Sequence, residues 1–217
     1  MTEIQTNLKK ILSSLPQGVL LAAVSKFHSD DAIMEAYEAG FRVFAESRPQ
    51  EFSGKFERLP KDIRWHFIGH LQRNKVKDVV GKVELVHSVD SVRLLDAIED
   101  ESLHQNVTTD ILLEVYVASE TTKQGFSPDE IRTLFKENIQ SRYKSVRIRG
   151  LMAMASFTDD INQIKREFMI VKDLFDEISD ADVSILSMGM SDDYEIAVRC
   201  GSNLVRIGSK IFGARQY

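Results

Sequence analysis

The sequence has little of what cross-links a chain or anchors it in a membrane. It contains one cysteine, Cys200, which can form neither an internal disulfide nor a zinc-thiolate cluster, and we expect this thiol to be buried and unreactive. No apolar run approaches the roughly 20 residues that span a bilayer, and residues 1–10 lack the basic start and apolar core of a signal peptide. These absences predict a cytoplasmic protein without a membrane segment.

Proline, glycine and positive charge are also in short supply. The sequence has 4 prolines and 11 glycines, and 43% of its residues are hydrophobic, which indicates a globular chain and not a disordered or fibrous one. Its formal net charge of -5 at pH 7 gives no general attraction to nucleic acid or anionic lipid, so we expect neither as a partner. Because we find no linker or low-complexity tract, residues 1–217 are predicted to form one domain that starts with a helix at about residues 2–15.

What the sequence does have is a regular alternation of two patterns. Short runs rich in β-branched and aromatic residues alternate with segments whose apolar residues recur at helical spacing. The predicted strands are residues 19–25, 41–45, 64–68, 83–87, 110–117, 146–152, 183–187 and 204–207. Eight strands alternating with helices predict an α/β fold, a (β/α)8 TIM barrel. The competing doubly wound sheet normally has a glycine-rich turn after its first strand, and VSKFHSDD has no glycine there.

The residues that follow the strands matter most, because the chemistry of such a barrel lies at the C-terminal ends of its strands. Lys26 follows the apolar run that ends at Val24, on the same strand face as Ala22 and Val24 if side chains alternate. A solvated lysine that ends a strand and a reactive amine at the barrel mouth both fit this position.

The segments after the last two predicted strands are typical of phosphate-binding loops. In LSMGMSDDYEIAV, Gly189 allows close backbone approach, and Ser191 offers a hydroxyl and an N-cap for a helix expected over residues 192–198. VRIGSKIFG repeats the arrangement with Gly208 and Ser209. Turn glycines and a plain N-cap would explain either loop alone, but two such loops favour a phosphate site. Opposite a lysine amine, a phosphate site suggests pyridoxal 5′-phosphate (PLP), whose aldehyde forms a Schiff base with lysine.

Five segments resemble the pyridoxal phosphate homeostasis protein family, in order and over nearly the whole chain. They are AVSK, FAESRPQEF, WHFIGHLQRNKVK, GLMAMASF and LSMGMSDDYEIAVRCGSNLVRIGSKIFGAR. The resemblance implies a barrel related to the N-terminal barrel of alanine racemase, the fold of type III PLP proteins, with PLP held as a Schiff base on Lys26. It also implies that Ser191, Gly208 and Ser209 hold the phosphate and that Arg206 faces the pyridine nitrogen.

Three further residues complete the cofactor-binding set that we expect, namely Gly189, Met190 and Ser47. Ser47 marks a departure from the family, which commonly has FGEN at the end of the second strand where this sequence has FAES. Serine is shorter than asparagine and has no amide donor, so this position lacks the amide contact to the cofactor that asparagine could make.

Other candidate sites have simpler explanations. His66 and His70 are four residues apart, but a metal motif of this spacing needs a helix and a glutamate, so we expect structural or mouth-lining histidines and no metal. Glu46 and Arg48 are expected to form an ordinary surface ion pair. Lys123, in the segment ETTKQGF, is a weaker second candidate for cofactor attachment, because it follows a polar loop and not a buried strand.

The resemblance favours a protein that binds and buffers PLP, with PLP-dependent client enzymes as candidate partners. The alternative is a PLP-dependent amino-acid racemase or decarboxylase on the same barrel. Such enzymes add a C-terminal β domain and use residues of a partner subunit, whereas this sequence ends just after the eighth predicted strand. We therefore expect a monomer with no catalytic residues and no robust turnover. A third class, a barrel that binds another phosphorylated metabolite without a covalent bond, would leave Lys26 unexplained.

Overall fold

The computed structural model describes residues 1–118 and 124–214, so Lys123 lies outside the described residues. The strands are β1 (Leu20–Val24), β2 (Val43–Glu46), β3 (Arg64–Phe67), β4 (Leu85–Val89), β5 (Thr109–Val115), β6 (Val146–Ala153), β7 (Ile185–Ser187) and β8 (Leu204–Ile207). The helices are α1 (Glu3–Ser14), α2 (Asp30–Glu38), α3 (Pro49–Arg58), α4 (Val92–Gln105), α5 (Pro128–Lys136), α6 (Ile161–Ile178), α7 (Tyr194–Arg199) and α8 (Ser209–Phe212). The strands form a closed barrel in the order β1 to β8, which confirms the predicted (β/α)8 TIM barrel.

Pairing of the first strand with the last one closes the barrel. β1 and β8 run parallel, and their register extends from Leu20 opposite Leu204 to Ala23 opposite Ile207. β8 also pairs with β7 on its other side. Because parallel strands end at the same rim, the segment after β1 lies beside the segments that follow β7 and β8.

Side chains of β1 alternate between two environments. Leu21 and Ala23 belong to the main hydrophobic core between the strands and the helices, whereas Ala22 and Val24 pack in a separate, smaller cluster. This period of two places the even-numbered residues of β1 inside the barrel. Lys26 continues the inward-facing row at the mouth.

The helix that precedes the barrel, α1, is fixed by its own local chemistry and by two neighbours. Thr2 and Gln5 form a capping box at its start, and its buried residues are Leu8 and Ile11. The helix packs against α2 and α8, and the side-chain amide of Asn7 donates to the Ile211 carbonyl at 3.3 Å. The N-terminal segment is therefore tied to the same part of the barrel as the chain's last helix.

The connection between β3 and β4 departs from the predicted helical pattern. It contains a 3₁₀ helix, Arg73–Asp78, in place of an α-helix, and Val76 is its buried residue. Leu71, Val79 and Val80, which flank the 3₁₀ helix, are buried as well, so this connection packs its apolar side chains through tight turns and not along one face of an α-helix. No helix in the two described ranges is long and apolar enough to cross a membrane.

A glycine in β6 tests how closely the barrel strands approach one another. A Cβ atom at Gly150 would lie 1.7 Å from the carbonyl oxygen of Ile185 in β7, so Gly150→Ala forces paired backbones apart. We expect this change to lower the free energy of unfolding by about 3 kcal/mol. The control is Gly54→Ala in α3, where the nearest atom belongs to the flexible Arg58 side chain and alanine should stabilise the helix by up to about 1 kcal/mol.

Urea unfolding followed by circular dichroism measures both variants. A Gly150→Ala protein as stable as the parent would contradict the close contact between β6 and β7.

Candidate functional site

A cavity of about 290 Å³ opens at the C-terminal ends of the strands. Of the predicted site residues, it is lined by Lys26, Met190, Ser191, Arg206, Gly208 and Ser209. A larger depression of about 610 Å³ lies beside α2 and α3, and it is more open to solvent. We take the smaller cavity as the candidate site, because there an amine, hydroxyl groups and a buried guanidinium converge at the barrel mouth.

Lys26 is half-buried and lies in the turn that follows β1. Its side chain lines the cavity, which agrees with the inward face that the alternation along β1 predicts. The sequence allowed either a solvated lysine or an amine at the barrel mouth. The location in the cavity lining agrees with the amine at the barrel mouth and not with a lysine directed only into bulk water.

The loops after β7 and β8 are joined by a hydrogen bond. The N–H of Gly208 donates to the hydroxyl oxygen of Ser191 at 3.2 Å, and Ser209 begins α8. Ser191 does not cap the following helix, because Asp193 is the N-cap residue of α7, so the predicted N-cap is wrong. The two serines and the first N–H groups of α8 form a rim of donors on one side of the cavity.

The helix after β7 also begins later than predicted. It starts at Tyr194, whereas the sequence pattern places its first residue at 192. The carboxylate of Asp193 accepts the N–H of Met190 at 2.6 Å, and this turn replaces the expected first helical residues. Burial raises the pKa of the Asp193 carboxyl, although that backbone contact opposes the change.

Two of the predicted cofactor-binding residues, Gly189 and Ser47, do not line the cavity in the described parts of the chain. The Gly189 carbonyl accepts the N–H of Arg206 at 3.0 Å, and a Cβ atom at Gly189 would lie 2.6 Å from the Cβ atom of Ala197. Glycine at this position therefore allows the loop to pack against α7. Ser47 is half-buried just after β2.

Arg206 projects from β8 into the barrel and is 3% exposed. Its Nη1 atom donates to the carbonyl and hydroxyl oxygens of Ser187, at 2.9 and 2.6 Å, and its Nη2 atom donates to the Ala153 carbonyl at 3.0 Å. Its hydrogen bonds to described residues thus go to neutral oxygens, which is not the arrangement of a buried ion pair. Burial lowers the pKa of the guanidinium to about 10, and the arginine stays cationic at neutral pH.

A chain of buried polar groups continues from Arg206 across the barrel interior. The Ser187 hydroxyl lies 3.1 Å from Nδ1 of His87, and Nε2 of His87 lies 3.0 Å from Nδ1 of His66. Burial lowers the pKa of His66 to about 4 and lowers that of His87 well below its usual value, so both imidazoles are neutral near pH 7. The contact between the two rings then has one donor and one acceptor.

Sequence reasoning missed this chain of contacts. The sequence pattern that could have predicted it is the alternation of side chains along β3, β4, β7 and β8, which directs one polar side chain from each of these strands into the barrel. The two histidines that are four residues apart go to different places: His66 is buried inside the barrel, and His70 is exposed, 3.2 Å from Asp90.

Glu114, near the end of β5, is the buried carboxyl that faces this region. Burial raises its pKa to about 7, the negative charge of Asp90 acts in the same direction, and Arg206 opposes the change. Glu114 and Asp193 attract the Arg206 guanidinium over a distance and partly balance its charge.

The prediction of a surface ion pair between Glu46 and Arg48 is wrong. Glu46 is fully buried and bonds to Nζ of Lys55 at 2.8 Å. The guanidinium of Arg48 instead lies over the ring of Phe27, 4.4 Å from its centroid. Strand alternation explains the error: Glu46 faces α3 behind the barrel wall, where a lysine meets it.

Buried neutral histidines make stability depend on pH. When the pH is lowered from 7 to 5, the unfolded chain takes up a proton at each histidine, because the ordinary pKa is near 6.5. The folded chain does not protonate His66, so the free energy of unfolding decreases as the pH is lowered. We expect His66→Asn to reduce that loss by about 2 kcal/mol. His104→Asn is the control, because that side chain is 82% exposed. Urea unfolding at both pH values gives the comparison; equal pH dependence in the parent and His66→Asn would show that His66 titrates normally in the fold.

Comparison with known proteins gives one consistent result. The family model "Alanine racemase, N-terminal domain" matches residues 1–216. The pyridoxal phosphate homeostasis protein of Aquifex aeolicus is 39% identical over 201 residues, which is 91% of this chain and 87% of the relative. The structure of PipY from Synechococcus elongatus with PLP bound is 32% identical, with a TM-score of 0.84, and the alignment covers 97% of this chain and 100% of PipY.

An alanine racemase from E. faecalis shares the fold alone. It is 18% identical, with a TM-score of 0.74, and the alignment covers 98% of this chain and 58% of the racemase. The match of the family model to nearly all residues, together with relatives this similar, shows that the chain belongs to the pyridoxal phosphate homeostasis proteins, within the alanine racemase N-terminal domain family.

Proposed function

We propose that this protein binds PLP as a Schiff base on Lys26 and serves as a carrier and buffer of the cofactor. One observation supports this most directly: Lys26, the serines that follow β7 and β8, and Arg206 line the same cavity of about 290 Å³. PLP, when bound, supplies an aldehyde that condenses with an amine and a conjugated ring that absorbs visible light. Relatives named for PLP homeostasis and the PLP-bound PipY structure agree with this proposal.

The phosphate would lie against the loops after β7 and β8. Ser191 and Ser209 offer hydroxyl groups, and the start of α8 offers backbone N–H groups with no partner within the helix. The Gly208 N–H, which bonds to Ser191 in the described structure, becomes a further donor if that serine turns toward a ligand.

Arg206 would face the pyridine nitrogen. Its guanidinium can only donate hydrogen bonds, and therefore it favours an unprotonated ring nitrogen. Ser187 and Ala153 hold the group in one orientation through three hydrogen bonds. An unprotonated ring is a weak electron sink, which suits a cofactor that has to stay unreactive.

The composition of the cavity also favours a carrier over a racemase or decarboxylase. Racemisation needs acid–base groups on both faces of the substrate carbon. Apart from Arg206 on β8, the ionisable side chains that line the cavity come from the loops after β1 and β7, namely Lys26, His28 and Asp192. β6 and the residue that follows it contribute the thioether side chains of Met152 and Met154. We further propose a cytoplasmic monomer that passes PLP to client enzymes, a location that suits the free, buried Cys200.

The test of the proposal combines three measurements on purified protein. We expect PLP to give a visible absorption band, borohydride reduction to make the attachment permanent, and peptide mass mapping to locate it on Lys26. Lys26→Ala should lose the band, and Lys210→Ala, at the exposed start of α8, should keep it. Label on Lys123, or on no lysine at all, would contradict the assignment.

The phosphate contacts predict a graded loss of affinity. We expect Ser191→Ala combined with Ser209→Ala to weaken PLP retention by about 1 to 3 kcal/mol, the scale of lost hydrogen bonds to a charged acceptor. Backbone donors remain, so binding should be reduced and not abolished. Equilibrium dialysis measures the change, with Ser13→Ala combined with Ser184→Ala as an exposed control. Unchanged affinity in the first double variant would mean that the phosphate lies elsewhere.

A further inference from the structure

The two peptide groups that flank Lys26 are both held by charged side chains of α3. The carbonyl of Ser25 accepts a hydrogen bond from Nζ of Lys55 at 2.8 Å, and the N–H of Phe27 donates to Oε1 of Glu51 at 2.6 Å. Lys55 and Glu51 also bond to each other at 2.7 Å. A closed ring of contacts therefore runs behind Lys26, from one side of its backbone to the other.

A third residue, Glu46, completes this arrangement from β2, and burial raises the pKa of its carboxyl although Lys55 opposes the change. Oε1 of Glu46 accepts hydrogen bonds from Nζ of Lys55 at 2.8 Å and from the hydroxyl of Ser25 at 2.6 Å. The three charged side chains face the helix layer, behind the barrel wall, while Lys26 faces the cavity. The arrangement thus supports the turn without occupying the binding space.

Stability alone is a poor explanation for this arrangement, because burying charged groups costs free energy. The side chains of Lys55 and Glu46 are 4% and 0% exposed, and Oε2 of Glu46 is buried with no hydrogen-bond partner among the described residues. Removing charges from water usually offsets most of the attraction between them, so a buried ion pair is weak evidence for a stabilising role. Replacing a buried ion pair by well-packed apolar side chains is often neutral or even stabilising.

The backbone of the turn shows what the contacts hold. Phe27 has a φ angle of 68°, in the left-handed region that bulky residues avoid. Such a conformation persists only where surrounding contacts impose it. The hydrogen bond to Glu51 and the Arg48 guanidinium over the Phe27 ring both act on this residue.

We propose that Glu51 and Lys55, supported by Glu46, are positioning residues that direct the Lys26 amine toward the aldehyde carbon of PLP. This inference rests on the proposed function. In the step concerned, Nζ of neutral Lys26 forms a bond to the aldehyde carbon, and the aldehyde oxygen leaves as water with the two amine protons. Fixing both flanking peptides limits the directions that the lysine stem can take, which raises the fraction of encounters with productive geometry.

The decisive variant is Glu51→Ala, because Glu51 holds the Phe27 N–H and is partly accessible, with 22% of its side chain exposed. We expect the visible band to form at least tenfold more slowly with PLP, while affinity for pyridoxine 5′-phosphate, which has no aldehyde, stays within twofold. Glu51→Gln keeps an acceptor oxygen for the Phe27 N–H and should recover a rate within about threefold of the parent.

The matched control is Glu99→Ala. Glu99 likewise accepts hydrogen bonds from backbone N–H groups, those of Lys144 and Ser145, but it is buried and supports the segment that precedes β6. We expect that variant to lose stability and keep the parent rate of band formation. Glu51→Asp keeps the charge and shortens the reach, so it replaces Glu51→Ala, with the same expected slowing, if the alanine variant does not fold.

A reagent unrelated to PLP separates the two proposals. We expect trinitrobenzenesulfonate to label Lys26 at least threefold faster in Glu51→Ala than in the parent, because the released turn exposes the amine, with Lys9 labelled equally in both. If the parent forms no band with PLP, the proposed function fails and the labelling ratio still decides the positioning role. Equal band formation and equal Lys26 labelling in the parent and Glu51→Ala would overturn that role.

Discussion

Parallel pairing of the first strand with the last is the constraint on which the candidate site depends. β1 and β8 meet only because the sheet closes, and their register places Ala22 beside Arg206. Closure brings together segments that are about as far apart in the sequence as this chain allows: Lys26 near its start, and the serines after β7 and β8 near its end. An open sheet with the same strands would leave the amine and the phosphate loops at opposite edges.

The barrel interior buries several polar side chains, and the groups that hydrogen-bond to one another there are mostly neutral. Arg206 is the cation there, and it donates to oxygens of Ser187 and Ala153 that carry no charge. His87 and His66 extend the contacts as uncharged rings. A carboxylate bonded directly to the guanidinium would use its donors and shield its charge. Without that direct contact, the arginine can still act on a ligand in the cavity.

The general fold was predictable from the sequence because the hydrophobic pattern repeats, and the same pattern explains where prediction failed. Period-two runs located the eight strands, and the positions after them identified Lys26, Ser191 and Ser209 as cavity residues. The roles of Ser191 and Glu46 were misjudged, since both depend on partners distant in sequence, Gly208 and Lys55. Local pattern gives the face on which a side chain lies, but the group that it meets there depends on how the barrel closes.

The net charge of the whole chain and the charge of the cavity lining have opposite signs. The chain carries a formal charge of -5, which argues against a general affinity for polyanions. The cavity nevertheless has two cationic side chains, Lys26 and Arg206, and one acidic side chain, Asp192, in its lining. Burial raises the pKa of the nearby Glu114 carboxyl to about 7, so part of its negative charge is absent near neutral pH. Acidic residues on the outer surface are screened by water and salt, whereas charges in a concave, partly buried site are screened much less. A chain with a net negative charge can therefore contain a cavity in which cationic side chains outnumber carboxylates.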